Sequence, residues 1–376
     1  MATAKVQVGT SPPAKRIASL DQFRGYTVAG MLVVNFLGGY AWIAEYLPVL
    51  KHHNTYCSYA DTIMPQFFFA VGYAYRLTLL KRLQREGKQA AYGHVFARCL
   101  GLMLIGFLIY SLDGSVNSWE ELKKLGVSGF FATAFQRSWF QTLTHIALTS
   151  IWIMPVIAAG TGVRLAYTVG SAALHLWLSH LFFFEWAMKR PVIDGGQLGF
   201  LSWTAPMIMG SIAYDLMAAR GPRRALGPML GWAVLLMAIG YGMSCVGGVE
   251  GTDGEPAIGW AAAPFFPPEI ETNLWTMSQR SGSVSYLVFS AGFSMAVFAL
   301  FVVLCDLGTM NVPLFRTFGR NALAVYILHG IVFAAVKPYV PRDVPGWYMA
   351  AGFGLAFAIT NLLVRHLEKN EIYLKL

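Results

Sequence analysis

Apolar stretches of helical length, separated by short polar or basic ones, run along the whole chain. A helix needs roughly 20 mostly apolar residues to cross a hydrocarbon core about 30 Å thick, and about ten segments meet that need. They run from Tyr26 to Ile43, Asp61 to Leu80, Val95 to Leu112, Leu143 to Ala159 and Val163 to Phe184. The others run from Leu198 to Leu216, Leu226 to Val246, Tyr286 to Leu304, Ala322 to Val336 and Gly346 to Val364. The pattern predicts an all-α, polytopic integral membrane protein with about ten transmembrane helices. A polar N-terminal tail, residues 1–15, leads into one transmembrane domain, residues 16–376, with no clear internal repeat.

Composition agrees with that class. The chain is 56% hydrophobic and 12% charged, and its mean hydropathy is +0.51. Basic loops stay on the cytoplasmic side of a membrane, so the placement of Lys and Arg gives an expected orientation. With the N-terminus inside, the inner segments carry 19 of the 28 basic residues, and the outer loops carry 13 of the 19 acidic ones. Both termini are therefore expected to be cytoplasmic. The net charge of +9 reflects this bias and is not a nucleic-acid signal, since no basic run is interleaved with aromatics. Arg24 and Gly25 lead straight into the first full-length span, which reads as a retained signal anchor rather than a cleaved leader.

Two outer loops are long, Asp113 to Gln141 and Gly247 to Gly282. The first holds a short charged helical piece, Trp119 to Leu125; the second places Trp260, Phe265, Phe266 and Trp275 among turn residues. Such loops act as covers over a site or as aromatic packing at the lipid interface, and the two readings are equally weighted. The four cysteines show no metal-ligand spacing, and no metal is expected. Cys57 and Cys245 share the outer face, but a disulfide between them is not favoured.

The first two spans hold the polar groups that suggest chemistry. Asp21 and Arg24 lie one helical turn apart at the inner end of the first helix, either as a structural ion pair or as a positive site for an anionic ligand. Asn35 follows eleven residues later, about 16 Å along a helix and near mid-membrane. A buried amide needs a partner, which is either a neighbouring helix or a ligand. Gly38 and Gly39 thin the helix beside it. His52 and His53 occupy the outer turn, and Asp61 opens the second helix. A carboxylate fixes the tautomer of an imidazole and raises its basicity, and two adjacent side chains in a turn point different ways. One of the two histidines is therefore expected to face a site.

The stretches SLDQFRGYTVAGMLVVNFLGG and KHHNTYCSYADTIMPQFFFAVG resemble the membrane acetyltransferase family of heparan-alpha-glucosaminide N-acetyltransferase and its bacterial relatives. The weaker match FRTFGRNALAVYILHG lies near the C-terminus. The resemblance implies an acetyl group moved from cytoplasmic acetyl-CoA to an amino sugar on the far side. It also implies a catalytic histidine, either His52 or His53, assisted by Asn35. The family's Trp-x-Gly after that histidine is replaced here by Asn54, Thr55, Tyr56 and Cys57, where an acceptor would be read.

For the transfer that the resemblance implies, the histidine is expected to serve as general base or acyl carrier, Asp61 as its orienter, and Asn35 as a donor to the developing oxyanion. Arg24, Arg320 and Asn321 are expected to hold the CoA nucleotide, with Tyr326 and His329 lining its path. Asp21, Gly38 and Gly39 are expected to support the site. His145, His175 and His180 read as structural, with His145 and His180 as further candidates for the border of an acceptor cavity. Asp215 and Asp306 are expected to face water or pair with Arg. The expected partners are the lipid bilayer, acyl-CoA and a glycan or amino-sugar acceptor, with a homodimer left open. A bacterial inner membrane is the expected location. The rival readings are a transporter or flippase without covalent chemistry, and a structural or sensory scaffold.

Overall fold

The computed structural model describes residues 17–246 and 272–374. The predicted N-terminal tail, and Trp260, Phe265 and Phe266 of the long loop, lie outside the described residues. Among those residues the chain is helical, with no strand. The α-helices are α1 (Ala18–Leu37), α2 (Ala41–Tyr46), α3 (Tyr59–Glu86), α4 (Lys88–Tyr110), α5 (Trp119–Ala134), α6 (Thr142–Ile153) and α7 (Thr161–Leu178). They continue as α8 (Phe184–Met188), α9 (Gly199–Cys245), α10 (Val284–Phe301), α11 (Pro313–Arg320), α12 (Ala322–Val336) and α13 (Gly346–Lys369).

Five helical stretches are long and apolar enough to cross a membrane: Lys88–Tyr110, Gly196–Cys245, Val284–Leu307, Ala322–Tyr339 and Gly346–Lys369. The chain is an integral membrane protein. The ten predicted segments lie largely on helix, but α6, α7 and the more polar pair α1 and α3 are not among the five. These two carry Asp21, Gln22, Arg24 and Asn35, and Asp61, Gln66 and Arg76, which lower their hydropathy. At about 1.5 Å per residue, the 47 residues of α9 would span about 70 Å, twice a hydrocarbon core. The helix breaks at Gly221, whose φ of 71° only glycine adopts readily. The predicted basic turn, Arg220 to Arg224, sits at that break.

The first helix differs from its predicted bounds. It starts eight residues earlier and stops at Leu37, capped by Gly38, so Asp21 and Arg24 lie inside the helix. Asn35 consequently sits in the last turn of α1, not midway along a continuous span. The chain then turns through α2 and a short 3₁₀ turn, Pro48–Leu50. In the Asp113 to Gln141 loop, the expected short helix extends over Trp119–Ala134, with a break at Gly126.

The core forms where α1, α3, α9 and α10 meet. Phe23 lies 5.9, 5.5 and 5.8 Å, ring centre to ring centre, from Phe69, Phe298 and Phe301 in edge-on contacts. Close approach of α3 and α9 requires two glycines. A Cβ on Gly72 would lie 1.8 Å from the Met207 carbonyl oxygen, and one on Gly210 would lie 1.9 Å from that of Phe69. Backbone cannot yield as a side chain can, so Gly72→Ala is expected to destabilise the fold by about 1–3 kcal/mol. Thermal unfolding in detergent measures this; an unchanged midpoint would mean that the two helices separate without loss.

Away from this crossing, Asp215 takes ion pairs from Arg76, at 3.1 Å, and from the buried Arg164, as expected for an Asp near helix ends. Asp306 instead accepts from the Ser19 hydroxyl at 2.5 Å and from its amide at 3.2 Å. All four cysteines are free, and Cys57 is buried.

Candidate active site

Ser58 and Asp61 form a reciprocal cap at the start of α3. The same carboxylate organises the preceding turn. Asp61 Oδ2 accepts from the backbone N–H of Ser58 at 3.0 Å and of His53 at 3.3 Å. Its Oδ1 accepts from His52 Nδ1–H at 2.8 Å. The Asp61 side chain is 1% exposed, while that of His52 is 48% exposed, because the imidazole opens onto a cavity of about 600 Å³. With Nδ1 donating to Asp61, the Nε2 lone pair is left for the cavity. Burial opposes the charged imidazole, but the hydrogen bond and charge of Asp61, aided by Asp194, outweigh it and raise the His52 pKa above 6.5.

His53 turns the other way. Its Nε2–H donates to the Pro48 carbonyl at 3.0 Å, and its ring lies 4.3 Å from that of Tyr56. Both contacts belong to its own turn, and His53 does not line the cavity.

Asn35, Gly38 and Gly39 line the cavity from the end of α1. The Asn35 amide nitrogen approaches His329 Nε2 at 3.5 Å, and His329 Nδ1–H donates to the Tyr326 carbonyl at 2.5 Å. His329 therefore presents an acceptor to Asn35 and orients its amide. It lines neither this cavity nor the one described next, which differs from its expected place on the CoA path. Lys337 donates to the Asn35 carbonyl at 2.8 Å. The cavity also contacts Asn54, Arg137, Asp194, Gln279 and Arg280.

A second cavity, of about 450 Å³, is lined by Asp21, Arg24, Arg82, His94, Arg98 and Arg320 among others. Two glycines bring Arg24 and Arg320 together. A Cβ on Gly25 would lie 1.8 Å from the Phe315 carbonyl oxygen and one on Gly319 would lie 1.9 Å from that of Asp21, so α1 and α11 cross with their backbones in contact. Each arginine is the immediate neighbour of one of these glycines. Arg320 Nη1 also donates to Glu368 at 3.3 Å. Asn321 is 1% exposed and lies behind the cavity wall, with neither amide atom hydrogen-bonded among the described residues.

Phe67 and Tyr326 line both cavities. The Tyr326 hydroxyl contacts that of Tyr110, which accepts from the Leu143 amide at 3.3 Å. The two chambers thus meet at one aromatic wall.

A heparan-alpha-glucosaminide N-acetyltransferase of Mus musculus is 23% identical over 388 residues, covering 85% of this chain. The chain resembles that acetyltransferase. The human protein of the same name is 26% identical over 190 residues, covering 40% of this chain and 28% of its own length. The chain spans 54% of the mouse relative. No family model matches.

Sequence reasoning missed Asp194; Asn54 belongs to the diverged segment expected to read the acceptor, and residues 278–280 to the long loop expected to act as a cover or as aromatic packing. An Asp-Gly-Gly turn between two apolar segments was the available signal at Asp194. Arg82 and Arg98 lay in the basic loop counted only for orientation. Of the other histidines, His145 is fully buried beside Trp203 and His180 is exposed, and neither lines the His52 cavity. His175 is buried and contacts Ser179 at 3.5 Å.

Proposed function

We propose that this chain is an acyl-CoA-dependent membrane acyltransferase that moves an acetyl group to an amino-sugar acceptor on the opposite side of the bilayer. One observation carries the reading: an arginine-lined chamber and a chamber holding a carboxylate-oriented histidine share a wall, Phe67 and Tyr326. Arginines suit the phosphates of CoA, and the basic end corresponds to the cytoplasmic face of a ten-span protein with both termini inside. The pantetheine arm passes Phe67 and Tyr326, so the thioester reaches His52. The name of the mouse and human relatives supports acetyl transfer to a glucosaminide nitrogen.

In this reading His52 Nε2 removes a proton from the acceptor amine as its nitrogen attacks the thioester carbonyl. The Asn35 amide, held by His329, donates to the oxyanion. The C–S bond then breaks, and the proton on His52 passes to the CoA sulfur. The meeting of the two chambers at Phe67 and Tyr326, together with the acetyltransferase name of the mouse and human relatives, favours covalent chemistry over transport.

Two measurements test the two chambers. Purified protein should release CoA thiol from acetyl-CoA only when an amino sugar is supplied; absence of release with any acceptor would remove the enzymatic reading. Arg320→Ala should weaken CoA binding about tenfold, the loss of one charge-assisted hydrogen bond. Isothermal titration with CoA reads this, and unchanged affinity would take Arg320 out of the donor chamber.

A further inference from the structure

A second carboxylate faces the His52 cavity. Asp194 lies on the turn between α8 and α9, is 5% exposed and lines the cavity wall. Its φ of 55° falls in the left-handed region, which Asp and Asn tolerate better than other side chains. Such backbone conformations persist where the surroundings enforce them, often at functional sites. The surroundings here are specific. Trp203 Nε1–H donates to the Asp194 carbonyl at 2.7 Å, and Gln279 Nε2–H donates to Oδ1 at 2.6 Å. The adjacent Gly195 N–H donates to the Arg280 carbonyl at 3.1 Å. Asn54, two residues after His52, accepts from the Arg280 amide at 3.1 Å and the Ser278 hydroxyl at 3.2 Å. The 278–280 segment therefore ties the Asp194 turn to the His52 turn. Among the described residues, Asp194 Oδ2 accepts no hydrogen bond, unlike the Asp61 carboxylate, which is occupied on both oxygens.

We infer that Asp194 binds the protonated amine of the acceptor and takes its first proton, an inference that rests on reading this site as an amine acyltransferase. An ammonium group has no lone pair and must lose two protons to become an amide. One leaves before attack and one as the N–C bond forms and the C–S bond breaks. His52 accounts for one, which ends on the CoA sulfur. Asp194 accounts for the other, which it returns to water in the cavity. A hydroxyl acceptor has only one proton to lose and would need His52 alone.

The charge environment suits that task. Burial raises the Asp194 pKa to about 6, with His52, Gln279 and Arg137 acting in the opposite direction and Asp61 adding to the rise. Arg280 and Lys337 are the other charged groups lining the cavity. The carboxyl is therefore ionised near neutral pH, yet a stronger base than an ordinary carboxylate.

Asp194→Asn tests the inference, because Asn fits the same backbone conformation. Glucosamine, acetyl-CoA and thiol release are the probes. At about pH 7 the acceptor KM should rise about tenfold or more, with the acetyl-CoA KM unchanged. The deficit should shrink as pH rises through the acceptor's own amine pKa, because bulk water then supplies the free amine. A deficit constant with pH, or no deficit, overturns the inference. If the variant does not fold, the wild type decides: its acceptor KM should rise as pH falls through about 6 while the acetyl-CoA KM stays flat, and a flat acceptor KM refutes the role. A wild type inactive with every amine would instead remove the underlying acyltransferase reading.

Discussion

His52→Ala is expected to lower the proposed CoA-dependent acyl transfer by about 10²–10⁴-fold, the contribution of a positioned general base, while His53→Ala is expected to stay within a few-fold of wild type. The difference follows from where two adjacent rings point. His52 offers Nε2 to a cavity of about 600 Å³, whereas His53 spends its own Nε2–H on the Pro48 carbonyl. His53→Ala loses that hydrogen bond and the packing on Tyr56, so it lowers stability by about 1 kcal/mol without removing a reacting group. Steady-state kcat for both variants, with thermal unfolding as control, separates the two effects. Equal loss in both, or loss only in His53→Ala, would reverse the assignment.

Asp61→Asn is the second large effect. The carboxylate fixes the His52 tautomer and supplies the charge that favours its imidazolium, so kcat is expected to fall by about 10²-fold or more. The pH dependence has a definite sign. In the wild type the His52 pKa is raised above 6.5, and the base is available only as pH climbs through that raised value. Activity therefore increases with pH over that limb. Removing Asp61 takes away the larger of the contributions that raise the pKa and leaves burial, which lowers it, opposed by Asp194 alone; the limb is expected to move to lower pH. The variant also loses the acidic member of the cap on α3, about 1 kcal/mol of stability. A pH–rate profile with its limb unmoved would show that Asp61 holds the turn but does not set the histidine's charge.

The helical class was readable from apolar run lengths, since a bilayer imposes them. The bounds of α1 were not. Asp21, Gln22 and Arg24 lower the hydropathy of its first turns, so the apolar signal starts late, at Tyr26. Within the site, the His52–Asp61 pair was readable because both residues lie within one turn and one helix start. The choice between His52 and His53 was not, because it depends on the Pro48 carbonyl and the Tyr56 ring. His329 shows the limit of helical spacing. Its place one turn after Tyr326 suggested a shared lining face, but the ring bonds back to the Tyr326 carbonyl and reaches across to Asn35 on α1. Asp194 is held by Trp203, nine residues on, and by Gln279, 85 residues away, and its place beside the His52 turn depends on that distant segment.

In the proposed reaction, donor and acceptor enter from opposite faces and meet at the wall formed by Phe67 and Tyr326. Proteoliposomes containing the purified protein test it directly, with glucosamine sealed inside and acetyl-CoA added outside. N-acetylated sugar is expected to accumulate in the lumen and free CoA thiol to appear outside, both lost in His52→Ala. Transfer only when both substrates share one compartment would contradict it.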